Sequence, residues 1–236
     1  MTELTQCFLW IDESPTEQEN DRIVRGDAEL QDHTQLIHAA FGLLPAILKH
    51  AHHRDADELA FLRLGIRLFN SGAAAFKLAR SGYYQPALSM TRDIVEIQFL
   101  LDLFRRDPQE LSRWVSLPPN EREKEFKPFK IRQKLDDADG FKERRRGQAY
   151  KLFCQYATHP TPEGFCVISP EGWTKIGPFP SKDQLTACVQ ELAKHFSYAC
   201  LLFGAQFKSD DMEVLEAKAR FLAVHGEWKK RYFPEK

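Results

Sequence analysis

The sequence lacks any long hydrophobic run. A stretch such as "HAAFGLLPAILKH" is interrupted by Pro45 and falls far below the ~20 residues that span a bilayer, so no membrane partner is expected. The first residues, "MTELTQCFLWIDESPTEQEN", have no basic start leading into an apolar stretch, and no signal peptide is expected. An excess of one charge is missing too. Lys and Arg total 33 against 34 Asp and Glu, a formal net charge of -1. That balance disfavours a strongly basic nucleic-acid binder, while a local basic patch stays open.

Paired cysteines are also absent. Cys7, Cys154, Cys166, Cys188 and Cys200 are an odd number with no Cys-x-x-Cys pair, against both a disulfide framework and a zinc cluster. In contexts such as "KLFCQY" and "SYACLLF" they read as small buried hydrophobes, and a reducing cytoplasm follows. No Walker A loop, no Gly-x-Gly-x-x-Gly after a strand, no His-Glu-x-x-His and no Gly-x-Ser-x-Gly elbow occurs. Neither a cofactor nor a metal is expected. "HAHHRDADE" does gather His50, His52, His53, Asp55 and Asp57, but this spacing suits a solvated turn between helices.

What is present is helical periodicity. With 43% hydrophobic and 28% charged residues, the chain has the composition of a globular protein with a usable core. Leu30, Ile37, Phe41, Leu44 and Leu48 recur at helical spacing, with Pro45 expected to kink or restart that helix. Asp57 opens a second helix that stops near Gly82. A third runs from roughly Pro86 to Arg106 and completes an antiparallel hairpin. A double proline separates two short helices, and Asn120 with Glu123 resembles a capping box. A helix over about 143–158 points Tyr150, Phe153 and Ala157 inward and ends at His159-Pro160. "FCVIS" and "WTKIG" around "PEG" suggest a small β-hairpin over about 164–177. Ser181 caps a strong helix, and a more polar one covers 210–232. The expectation is an all-α antiparallel bundle over residues 27–236 with a β-hairpin insertion. Residues 1–26 read as an N-terminal segment, with a short strand or docking piece at "CFLWI", followed by a linker.

The chemistry centres on "MTRDIVEIQFLLDLF". Arg92 and Glu96 lie four residues apart on a stripe that otherwise reads Leu88, Val95, Phe99, Leu103. Buried charges rarely go unpaired, and such a pair is weak support for stability, so it is either a structural clamp or the wall of a polar pocket. Tyr156 and His159, three apart at a helix C-terminus, can face one side together. "KERRRGQAYK" places Arg144, Arg145 and Arg146 around a helix start, where they could track phosphates.

"GYYQPALSMTRDIVEIQFL", "FKPFKIRQKL" and "YKLFCQYATHP" together resemble an uncharacterised bacterial helical family. Its members pair a "G…R-x-x-x-E" helix with a later "Y…S-x-x-x-H" element. The likeness covers about residues 55–207 and matches Arg92, Glu96, Arg132, Tyr156 and His159. In outline it is similar to the HEPN class of helical domains, many of them RNases or nucleotide binders in defence and toxin systems. The resemblance implies a site of Arg92, Glu96, Tyr156 and His159, with Arg132 toward substrate, and the basic run of Arg144, Arg145 and Arg146 read above would add phosphate contacts beside it. RNA or a nucleotide is the implied partner, and a homodimer placing two sites face to face would suit an enzyme. Histidine would act as general acid or base and arginine would stabilise phosphate charge. The chain departs from HEPN ribonucleases in one respect. Their arginine–histidine spacing occurs only in "RFLAVH", Arg220 to His225, beside apolar Phe221 and beyond the region of likeness. The alternative is a non-catalytic interaction or regulatory module in which the same residues fix helix packing.

Overall fold

The computed structural model describes residues 11–234, so residues 7–10 of "CFLWI" lie outside it. Where a linker is expected, Pro15 instead starts helix α1 (Ser14–Arg25). α1 has few apolar side chains and docks through polar ones. Buried Asn20 donates to the Arg80 carbonyl at 3.0 Å, and the Arg80 guanidinium holds Asp21 at 2.8 Å and Glu17 at 2.9 Å.

Asp27 caps α2 (Ala28–Lys49) by accepting from the Glu29 and Leu30 amides. α2 runs unbroken through Pro45. α3 (Ala56–Arg80), capped by Asp55, and α4 (Tyr84–Arg106) form the expected hairpin. Its turn needs glycine at position 82, where φ is +83° and a Cβ would lie 2.5 Å from the Phe179 carbonyl. α5 (Pro108–Ser116), α6 (Pro119–Glu125) and α7 (Pro128–Ala138) follow, α5 packing on α3 and α4 and α7 on α4. The expected capping box is not formed. Pro119 starts α6 one residue early, which leaves Asn120 inside the helix rather than at its cap.

α8 (Arg145–Phe153) passes into a π-helical turn at Cys154–Thr158, and α9 (Lys182–Gln206) and α10 (Met212–Tyr232) complete the chain. Ser181 caps α9 as expected. The expected β-hairpin is not formed, and the described residues contain no strand. Two 3-10 turns, Glu163–Ile168 and Pro170–Gly172, replace it, with Glu171 and Gly172 both at positive φ. One backbone bond, from the Lys175 amide to the Ile168 carbonyl, crosses the segment. An isolated two-stranded ribbon is marginal without a sheet to join, and Trp173 and Ile176 face solvent rather than a core.

The core lies among α2, α3, α4 and α9, with α10 laid along α2. Leu36, Ile37, Leu68, Ile94, Phe196 and Phe203 are fully enclosed, each side chain stabilising the fold by roughly 1.5–3 kcal/mol. Gly65 and Gly72 let the Phe203 and Phe196 rings rest on the α3 backbone. No helix among the described residues is long and apolar enough to cross a membrane.

Candidate functional site

Gln85, Ser89, Arg92 and Glu96 recur at helical spacing and form one face of α4. α8 and its π-helical continuation run along that face. Ser89 Oγ donates to the Ala157 carbonyl at 2.8 Å, Gln85 donates to the same oxygen, and Arg92 meets the Cys154 thiol. π-helical turns concentrate at functional sites because the added residue re-aims its neighbours.

Arg92 and Glu96 form an ion pair at 2.8 Å, each about a quarter to a third exposed. The tyrosine against them is Tyr150, which sequence periodicity marks only as an inward residue. Arg92 donates to the Tyr150 hydroxyl, which in turn donates to Glu96 Oε1. The guanidinium carbons of Arg132 and Arg92 lie 4.0 Å and 4.9 Å from the Tyr150 ring centroid. Burial and the adjacent Glu96 carboxylate push the Tyr150 phenol well above its usual range, so it remains a proton donor. Burial works to lower the Arg92 pKa, but Glu96, Tyr150 and the Cys154 thiol together outweigh it and the guanidinium stays charged. Several guanidinium N–H groups here are buried without a hydrogen-bond partner among the described residues: Arg92 Nε, and Arg132 Nε and Nη1. Buried donors are rarely left so, and guanidinium groups suit an anion, but these particular N–H groups are themselves closed off from solvent.

The structure separates Tyr156 and His159 from that cluster. Both line a cavity of about 250 Å³ with Gln85, Thr161 and Phe165, nearer the start of α4. The two groups share the α4 face but no hydrogen bond. Exposed His159 makes no side-chain hydrogen bond among the described residues.

The basic run is largely matched by carboxylates. Arg146 binds Asp136 at 2.9 Å and also reaches Asp139, tying α8 to α7. Arg144 pairs with Asp137 at 2.7 Å, and Arg145 meets Glu143 at 3.3 Å. "DDADG" is thus the counterpart of "RRR", and exposed Arg145 is the most open of the three to a phosphate.

A cleft of about 430 Å³ adjoins Glu96, with Arg63 and Arg67 of α3, Trp114 of α5 and Arg122 of α6 around it. Arg67 clasps Asp93 through Nε at 3.1 Å and through Nη2 at 2.5 Å. Burial works to raise the Asp93 pKa, yet Arg67 and Ser71 hold it below the usual carboxylate value. The sequence carried a weak signal for this cleft in the four-residue spacing of Arg63 and Arg67.

Arg220 and His225 do not converge. Arg220 is exposed on α10, whereas His225 packs against Phe221 and Trp228, and burial lowers its pKa. Of the histidine cluster, His50 sits between Asp211 and Glu213, its Nδ1 and Nε2 facing them at 3.1 Å and 2.9 Å. Each ring nitrogen thus addresses a different carboxylate, and Lys49 Nζ lies 2.7 Å from Glu213. This is a clasp between the end of α2 and the start of α10, and one ligand atom from each of His50, Asp211 and Glu213 lies within 4.8 Å of the others, a spacing that could also hold a cation. Asp55 caps α3 instead, and Asp57 accepts from Ser112.

No protein-family model, curated protein or solved structure matches this chain.

Proposed function

We propose that this chain is a HEPN-like protein that binds the phosphate groups of RNA or of a nucleotide on the α4 face, through Arg92 and Arg132. The observation that carries this reading is the pair of guanidinium groups over Tyr150 with buried N–H groups left without partners among the described residues. Glu96 fixes Arg92, and the protonated Tyr150 fixes Glu96, so the donors are held in place before a ligand arrives. RNA phosphodiester cleavage is the reaction to test first, with His159 as the nominated general acid or base. Since His159 faces the second cavity, cleavage requires the RNA strand to lie along α4 past both groups.

The test is anisotropy of a labelled single-stranded RNA with the full chain, alongside Arg132→Ala and a denaturing gel for cleavage. Arg132→Ala should weaken binding about tenfold, roughly 1.4 kcal/mol, and flatten the salt dependence by about one phosphate contact. Loss of cleavage in both His159→Ala and Arg92→Ala, with folding retained, would make the α4 face an active site.

A second reading is favoured by the bridging Tyr150 hydroxyl, which closes the Arg92–Glu96 pair into a network between α4 and α8. There the cluster is a clamp in an interaction module. It predicts that the wild-type chain binds no RNA and that Glu96→Gln only lowers stability, by about 1–3 kcal/mol.

A further inference from the structure

The cleft beside Glu96 is chemically distinct from the Tyr150 cluster that shares this residue. Its wall is apolar: Leu64 of α3, Ile97 and Leu100 of α4, and Trp114 of α5. Trp114 packs against Phe104, the ring centroids lying 5.8 Å apart, and the Arg122 guanidinium carbon lies over its ring at 6.0 Å. Its rim carries charges that do not all cancel. Arg67 is matched by Asp93, and Glu96 by Arg92. Arg63 forms no ion pair among the described residues. Arg122 donates from Nη2 to the Leu117 carbonyl at 2.6 Å and, among the described residues, meets no carboxylate and has a buried Nε without a hydrogen-bond partner. Among the described residues two positive charges therefore remain over an apolar wall, beside a carboxylate whose hydrogen bonds all fall on Oε1. The volume, about 430 Å³, falls in the roughly 300–1,000 Å³ range of small-molecule sites.

We infer that this cleft binds a nucleoside phosphate, with the base against Trp114 and the phosphate between Arg63 and Arg122. A phosphate monoester carries about 1.5–2 negative charges at neutral pH, which the two unmatched arginines complement. The flat base covers apolar surface beside the indole and the Arg122 guanidinium that lies over it, contacts tolerant of base identity. Glu96 Oε2 accepts from a ribose hydroxyl or an exocyclic amine. The inference rests on the preceding reading for its ligand class, and it adds a compartment for the base, next to the arginines that hold the backbone.

The experiment is calorimetric titration of the full chain with adenosine 5′-monophosphate, adenosine and ribose 5-phosphate. The variants are Arg63→Ala, Trp114→Leu and Arg132→Ala. Arg63 is exposed and unpaired, so its variant leaves the fold intact. The expected result is saturable binding of the monophosphate, weakened about tenfold or more by Arg63→Ala and by Trp114→Leu, with each half-ligand weaker than the whole. Absence of monophosphate binding, affinity unchanged by Arg63→Ala, or ribose 5-phosphate binding as tightly as the nucleotide would each overturn the inference. RNA binding that persists in that case, and is lost in Arg132→Ala, leaves the α4 reading standing while the cleft falls. Monophosphate binding that needs Arg63, beside RNA binding indifferent to Arg132→Ala, keeps the cleft and removes the α4 cluster as the phosphate site.

Discussion

The Tyr150 hydroxyl accepts from Arg92 and donates to Glu96, while its ring lies beneath two guanidinium groups. Tyr150→Phe separates these roles. The ring remains for Arg132, but the bridge between Arg92 and Glu96 goes. Denaturant unfolding should show a loss of about 1 kcal/mol, because both partners retain some solvent access and each other. RNA affinity should fall less than in Arg132→Ala. At this scale the sequence was informative about pairs and silent about meetings. Arg92 and Glu96 were legible because four-residue spacing fixes their relation within one helix. Tyr150 was legible only as an inward position, since periodicity gives direction and not what lies across the gap. Tyr156 was favoured for its nearness to His159, and the two do share a cavity, but at another level of α4.

Helices α2, α3, α4 and α9 could be read from their apolar stripes, because burial against neighbours imposes the 3.6-residue period. α1 could not, since its docking relies on Asn20, Glu17 and Asp21 holding Arg80 and leaves little apolar pattern. The insertion was misread for a related reason: alternation over five residues does not supply the partner strand that a ribbon requires. Packing between α3 and α9 gives a sharper prediction. Gly72→Ala places a methyl group into the Phe196 ring and should destabilise by about 1–3 kcal/mol in a thermal or denaturant scan. Gly226, within α10 and open on the side where a Cβ would project, should respond oppositely. Gly226→Ala should stabilise by roughly 0.5–1 kcal/mol by limiting the unfolded chain and favouring the helix.

For the whole molecule, acid is the expected weakness. His33 is buried under α10, where its Nδ1 accepts from Trp228 Nε1 at 2.7 Å. His195 is buried between α4 and α9, its Nδ1 facing Gln98 at 3.0 Å. Burial lowers the pKa of both despite nearby glutamates. The unfolded histidines take up protons near pH 6.5, and the folded ones only at lower pH. Stability is therefore complete above about pH 6.5 and declines as pH falls through the folded values, where the unfolded state binds more protons. Unfolding midpoints measured between pH 7.5 and 5 should fall accordingly. His33→Asn keeps an acceptor for Trp228 without a titrating ring, and should flatten the slope.

Trp228 and His33, whose bond joins α10 to α2, are 195 residues apart in sequence. Val214, Phe221 and Trp228 of α10 are buried when α10 lies along α2. On a translating ribosome, α2 emerges long before the helix that covers it. Until α10 follows, α2 carries an open greasy strip that nothing earlier in the chain covers in the same way. A nascent chain stalled before α10 would thus expose a surface suited to chaperone capture, and a chain truncated there would be expected to aggregate rather than persist as a smaller folded protein.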